Sequence, residues 1–456
     1  MNAETSVGSN NKLMLWLFRA WLCLAPLLIY SPNLLAKDSA TVFGLYAYND
    51  AVPTAEQVLG HSLGTDINWT ADARRYFEAL QDFAPQNVRI VDYGSSWEGR
   101  TLFYVVLSSE KNIARLADIK NNMQQLADPR QLSESQAQKL IESTPAVTWL
   151  SYSVHGNEIS STEAAMATAY HLLASTNDPV AKAAMEETVT VLVPVQNPDG
   201  RDRFVHHFEM ARGPVADANM DSAEHNEPWP RGRTNHYLFD LNRDWFAQTQ
   251  PEIRAHAKAF LEWMPVAFVD AHEMGSDSTY FFAPEAEPYN PFITAEQRAS
   301  LIMFGKTNAK RFDHFGIDYF TREVFDAFYP GYGASWPIYH GAIAMTYEQA
   351  SARGLIATRY DGSQFSYAET VRNHFVASLA TIETVASNRQ KLLQQFYEYR
   401  RSAIEIGSKG KTKSYIFANE PGSDAGFIMA RSLSQQGIEV RRSLEDFRAC
   451  GQSFDA

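Results

Sequence analysis

The sequence predicts an α/β fold. Short apolar runs of strand length alternate along the chain with stretches of helical periodicity, the pattern of strands and helices layered on one sheet. One run, "TVTVLVPVQ" (188–196), is almost continuously apolar, as strands buried on both faces are. A third observation concerns chemistry: four of the runs are followed at once by histidine, carboxylate or amide side chains.

At 456 residues the chain has room for two or three domains, or for one large α/β domain with appendages. Hydrophobic residues at 45% suffice for a packed core, and a formal net charge of -13 argues against nucleic acid or anionic membrane surfaces as partners. Near the N-terminus, Lys12 and Arg19 precede the apolar run "AWLCLAPLLIY" (20–30), and Ala36 offers the small residue of an export cleavage point. The run is short for a membrane span. Residues 1–36 thus read as a signal peptide, with a retained anchor as the alternative. Cleavage leaves an exported protein, periplasmic or secreted, without stable membrane association. Of the two cysteines, Cys23 lies in that apolar run, so Cys450 alone remains and no internal disulfide forms.

The main domain spans 37–400. "RIVDYGSSWEGRTLFYVVLSS" (89–109) predicts two strands joined by a glycine turn, a structural hairpin in which Arg100 is an outside candidate for substrate contact. "PAVTWLSYSV" (145–154) is a strand ending just before His155. "SSTEAAMATAYHLLAS" (160–175) follows as a helix, with Ser160 and Glu163 spaced as a capping box. "PVAFVDAH" (265–272) and "GAIAMTYE" (341–348) are further strands, and helical stretches recur over 251–263, 295–312 and 367–399. The small, charged stretch at 401–412 reads as a linker. Beyond it, 413–456 reads as strand, helix, strand, a partial β-α-β start of a second unit.

The polar residues fall at strand ends. His155 and Glu158 follow one strand, "NPDGR" (197–201) a second, His272 a third and Glu348 a fourth. Open α/β sheets gather ligands outside the carboxyl ends of their strands. The spacing His155-x-x-Glu158 is cheap in a chain of 12 histidines, and a second copy, His206-x-x-Glu209, has no strand ending at it and reads as bland. Asn197-Pro-Asp-Gly200 is a turn sequence in its own right. Two histidines and a carboxylate form the ligand set of a hydrolytic zinc site with one open position. Such a site needs a separate base and positive charge for a developing oxyanion. "WPRGRTNHYLFDLNRDWF" (229–246) supplies Arg231, Arg233 and Arg243 in an otherwise acidic protein.

The ordered set His-x-x-Glu, Asn-Pro-Asp-Gly, Asp-x-Asn-Arg-x-Trp, Asp-x-His, Thr-x-Glu resembles the zinc metallocarboxypeptidase family typified by carboxypeptidases A and B, over roughly residues 55–390. Here these are His155/Glu158, Asn197–Gly200, Asp240–Trp245, Asp270/His272 and Thr346/Glu348. The resemblance implies a mixed, mostly eight-stranded sheet flanked by helices on both faces, one Zn2+ in the catalytic domain, and a peptide substrate with a free C-terminus. It implies that His155, Glu158 and His272 are the zinc ligands, with Asp240 the carboxylate that holds a ligating histidine. Asn242 and Arg243 are implied to clamp the terminal carboxylate, a task for arginine's planar fork. Glu348 is implied to be the general base that activates the attacking water and protonates the leaving amine. The resemblance also implies an oxyanion arginine, for which Arg233 is the first candidate and Arg231 the alternative, and a tyrosine covering substrate, for which Tyr332 is the first candidate and Tyr329 the alternative.

The chain also departs from the family pattern. Asp244 stands in place of a second asparagine and Glu273 in place of a small residue, adding negative charge near the site, for basic substrates or for pairing with an arginine. Glu273 is also the next candidate for the base. Around Ala334 and Ser335, where the side-chain pocket is expected, there is no carboxylate, which argues against selection for lysine or arginine. Two rival readings are a cell-wall stem-peptide amidase or carboxypeptidase and a non-catalytic binding protein on the same fold. The presence of both the ligand triad and Glu348 weighs against the latter.

Overall fold

The computed structural model describes residues 46–417 and 422–455, so the predicted signal peptide and its cleavage point lie outside the described residues. Eight strands form one mixed sheet: β1 (Val88–Ser95), β2 (Thr101–Leu107), β3 (Ala146–Tyr152), β4 (Thr188–Val193), β5 (Ala267–Met274), β6 (Tyr280–Phe281), β7 (Tyr319–Phe320) and β8 (Ile343–Ala350). Their order is β1-β2-β4-β3-β5-β8-β6-β7. The central pairs β4–β3, β3–β5 and β5–β8 are parallel, so these four strands end at one edge. Every residue of β3 and β4 is buried, as the continuous apolar runs require when helices cover both faces.

Two sets of helices supply that cover. One comprises α1 (Thr70–Phe83), α4 (Ser160–Ala174), α5 (Pro179–Glu187), α8 (Ala295–Phe315) and α9 (Tyr367–Ser387). The other comprises α2 (Leu116–Ala127), α3 (Glu134–Ser143), α7 (Pro251–Trp263) and α10 (Arg389–Lys409). Between β4 and the site, α6 (Pro198–Ala211) starts within the NPDG run: Asn197 caps it by accepting from Gly200 N–H at 2.9 Å, and Pro198 sits in its first turn. Among the described residues no helix is long and apolar enough to cross a membrane.

Three expectations are corrected. Ser160 is the first residue of α4 and makes no capping box; its N–H and hydroxyl donate to Glu273 of β5, while Glu163 instead accepts from Gly64 N–H and Asn68. A buried carboxylate brought by the fold displaces the local cap, since it meets the positive end of the helix more strongly than a hydroxyl does. Residues 401–409, expected within a linker, continue α10, whose buried Leu392, Leu393, Phe396 and Tyr397 anchor it until Gly410. Of the strand, helix, strand expected after 413, the first strand falls partly on residues outside the described ones, the helix is α11 (Ala425–Gln435), and beyond it two short strands form a hairpin, Phe447–Ala449 with Gln452–Phe454.

Candidate active site

The shared edge of β3, β4, β5 and β8 is built from close-packed turns. A Cβ on Gly156 would lie 2.0 Å from Arg201 N, and one on Gly200 would lie 2.4 Å from the Gly232 carbonyl. The turn after β3, the start of α6 and the loop carrying Arg233 therefore stack backbone on backbone, and only glycine permits the contact. This stack fixes where the side chains beside each glycine must point.

His155, Glu158 and His272 converge there, each buried, with one ligand atom apiece all within 4.8 Å of one another. His155 Nδ1 lies 3.2 Å from His272 Nδ1 and 2.7 Å from Glu158 Oε1, and His272 Nδ1 lies 3.0 Å from Glu158 Oε2. The far nitrogens face carboxylates: His155 Nε2 lies 2.9 Å from Asp240 Oδ1, and His272 Nε2 lies 3.0 Å from Asp270 Oδ2. Each imidazole thus has a carboxylate at both nitrogens; with a cation among the three ligands, Asp240 and Asp270 would hold the Nε2 protons and leave each Nδ1 a lone pair for the ion. Two lone pairs and a carboxylate facing one another in a buried space need positive charge among them. Burial alone depresses the two imidazole pKa values, yet Glu158 with Asp240, and Asp270 with Glu158, hold them above the ordinary value. Burial likewise opposes ionisation of Glu158, but the imidazoles hold its pKa well below the usual carboxylate range. The donor set and its tautomers fit a divalent ion such as zinc.

Asp240 also accepts from Arg233, whose Nη2 lies 2.9 Å from Oδ2, while Nη1 reaches within 3.3 Å of His155 Nδ1 and 3.5 Å of Glu158 Oε1. Arg231 is exposed and not among these contacts. Asn242 accepts from Gly333 N–H at 2.7 Å, and its amide nitrogen lies 3.2 Å from His272 Nε2. Arg243 donates to the Asn242 carbonyl, and its guanidinium lies 4.7 Å from the centre of the Tyr332 ring, a cation–π contact. Tyr329 packs edge-on against Tyr332 with ring centres 5.2 Å apart and is more exposed. All the site residues expected from the sequence therefore gather at this edge, except Arg231.

Glu348 stands opposite His272 in the β5–β8 register. Of the eight residues of β8, only Thr346 and Glu348 escape full burial, so this face of the strand borders the cleft. Burial pushes the Glu348 carboxyl up to about 8; Glu158 and Asp270 add to the rise, while His272 and His155 oppose it.

Several candidates resolve into structural roles. Glu273 points away from the ligands, accepting from Ser160 and Ser351. Asp244 accepts from Thr249 and Gln250 N–H at the entry to α7. Neither carboxylate adds free charge to the site, since both are spent on helix starts. Arg100 is held by Glu98, Asp199 and Asp202, and ties the β1–β2 hairpin to α6. His206 and Glu209 are exposed on α6, where Glu209 accepts from Trp69 Nε1 at 2.8 Å. Ala334 and Ser335 are buried.

Two participants escape a reading of the sequence for roles. Asp270 orients His272, and the Asp-x-His alternation on one strand face was the available signal. Gln196 donates to Asp270 Oδ1 at 2.9 Å, which holds that carboxylate in turn.

A sequence profile described as zinc carboxypeptidase matches residues 73–311, just over half of the chain, a span that holds all three ligand candidates and ends before Glu348. No curated protein sequence matches the chain. Solved structures with similar folds include carboxypeptidase A from Helicoverpa armigera, 16% identical over 83% of this chain and 87% of that one, with a TM-score of 0.49. A metallo-carboxypeptidase from Burkholderia cenocepacia is 16% identical over 70% of this chain and 69% of its own, at a TM-score of 0.46. Another, from Pseudomonas aeruginosa, is 15% identical over 71% and 69%, also at 0.46. With that family profile matching more than half of its length, the chain belongs to the zinc carboxypeptidase family.

Proposed function

We propose that this protein is an exported zinc carboxypeptidase that hydrolyses the last peptide bond of peptides with a free C-terminus. The observation that carries the reading is the convergence of His155, Glu158 and His272 beside Glu348, from strands distant in sequence. His155, Glu158 and His272 would hold the zinc ion, which would supply a Lewis acid to polarise the scissile carbonyl and lower the pKa of the attacking water.

The remaining chemistry belongs to the chain. Asp240 and Asp270 hold the two Nε2 protons, which keeps both Nδ1 lone pairs aimed inward. Arg233, anchored on Asp240 and reaching toward Glu158, supplies the positive charge for the developing oxyanion. Arg243, stacked on Tyr332 and next to Asn242, takes the substrate's terminal carboxylate through a bidentate pair. Asn242 lends that carboxylate its amide when it turns from His272. Tyr332 covers the bound end of the peptide. Glu348, opposite His272 on the neighbouring strand, takes a proton from the attacking water and returns it to the leaving amine.

The test is a peptide offered with a free and with an amidated C-terminus. Cleavage of the free form alone is the expected result; equal cleavage of both removes the clamp from the account. The reading as an exported protein rests on Lys12, Arg19 and the apolar run ending before Ala36, and N-terminal sequencing of the mature protein checks it.

A further inference from the structure

We infer that Gln436 is a positioning residue for the carboxylate clamp. From the C-terminal segment it ties together the two loops that carry Asn242, Arg243 and Tyr332, and so sets how tightly the end of the substrate is held. The inference rests on the clamp reading above and names what keeps that clamp in shape.

Placement comes first. The described residues beyond 410 are exposed or half-buried with one exception, Gln436, which is 5% exposed. It follows α11, a helix with no buried residue of its own. Gly437, with φ at 76°, lets the chain turn there, and Ile438 N–H returns to the Leu433 carbonyl at 3.1 Å. A segment that buries nothing else therefore spends its one buried side chain on the catalytic domain. That side chain is an amide, which gains from burial only through the partners it finds.

Both partners lie on the clamp loops. Gln436 Oε1 accepts from the indole N–H of Trp336, and Nε2 donates to the Phe246 carbonyl at 2.6 Å. An indole only donates and a carbonyl only accepts, so the two contacts together fix the amide's orientation. Phe246 lies three residues past Arg243, and Trp336 four past Tyr332. The loops already touch each other. Gly333 N–H donates to Asn242 Oδ1 at 2.7 Å, Trp245 N–H donates to the Gly331 carbonyl at 3.3 Å, and the Trp245 and Trp336 ring centres are 5.5 Å apart. Arg243 over the Tyr332 ring spans the same seam. Gln436 adds a tie from a distant part of the chain, 190 positions from Phe246 and 100 from Trp336. Without it the buried Trp336 loses the acceptor of its N–H, and the loops are freer to part between Arg243 and Tyr332. The cost falls on holding the carboxylate, because His155, Glu158, His272 and Glu348 lie on neither loop.

The experiment uses the zinc-loaded mature protein and a peptide with a free C-terminus. Gln436→Met keeps the length of the side chain and removes both bonds. Its KM is expected to rise about tenfold, the size of one or two buried hydrogen bonds, with kcat and zinc content within about twofold of the wild type. Trp336→Phe removes the indole donor, and the double variant is expected to raise KM no further than the larger single change. Glu439→Gln, which cuts the exposed ion pair between the same segment and Arg130, is expected to leave KM unchanged. An unchanged KM in Gln436→Met, or a fall in kcat alone, overturns the inference and leaves the carboxypeptidase reading standing. So does an additive rise in the double variant, or an equal rise in Glu439→Gln. Should Gln436→Met fail to fold, Gln436→Asn, too short to reach both partners, is read in the same way. Where no peptide is turned over, the function fails separately, and calorimetry of the free and amidated peptide decides the inference. A preference for the free form that Gln436→Met reduces supports it; the same preference in both proteins overturns it.

Discussion

The chain carries His-x-x-Glu twice, and the two copies fare differently. His155 and Glu158 are buried, meet His272 from another strand, and have Asp240 behind the imidazole. His206 and Glu209 lie on the exposed side of α6, where the carboxylate serves Trp69. Spacing is equal in both; what differs is the end of a parallel strand. Only a strand end delivers the pair to an edge where other strands deliver partners.

The contrast can be broken by mutation, beginning with the largest effect. His155→Ala or Glu158→Gln is expected to abolish stoichiometric zinc by metal analysis and reduce peptidase activity to background, whereas His206→Ala or Glu209→Gln changes neither. Zinc retained by both first-copy variants would remove the distinction. Glu348→Gln is expected to keep the metal and lose on the order of 10²- to 10⁴-fold in kcat, the range for a general base. Unchanged turnover would send the proton elsewhere. Asp240→Asn and Asp270→Asn are each expected to weaken zinc affinity by about 10- to 100-fold, read by competition with a chelator.

A pH series sharpens the comparison further. In the metal-free protein His155 and His272 have raised pKa values. Their protonated forms therefore stabilise the fold fully below the unfolded value near 6.5, and that contribution is lost as pH rises through the folded values. Zinc competes with those protons and gains as they leave. The Tm gap between zinc-loaded and metal-free protein is thus expected to widen as pH rises from about 5 to 8. A gap independent of pH would deny that the imidazoles bind the ion. The smallest effect belongs to the second copy: Glu209→Gln is expected to shift stability by within about 0.5 kcal/mol, as exposed substitutions do.

The legible part of the site was what sits at the ends of long strands. β3, β5 and β8 are seven or eight residues of almost unbroken burial, so their apolar runs announced where His155, His272 and Glu348 would emerge. β6 and β7 were silent because strands of two residues have no periodicity to read. Ser160 and Glu163 misled for a related reason: a local capping pattern was outbid by Glu273, a group 113 positions away in sequence from Ser160. The helix running on to Lys409 was missed because its final turns are exposed and polar, while the apolar residues that anchor it lie before 400.

Glu273 has one more consequence. It directly follows a metal-ligand candidate on β5, grips the start of the helix just beyond Glu158, and touches Ser351 at the end of β8. A single side chain so rivets together three segments that approach the ion from different directions. Stripping the metal should leave that rivet in place, so the empty cradle keeps its shape and refills without refolding.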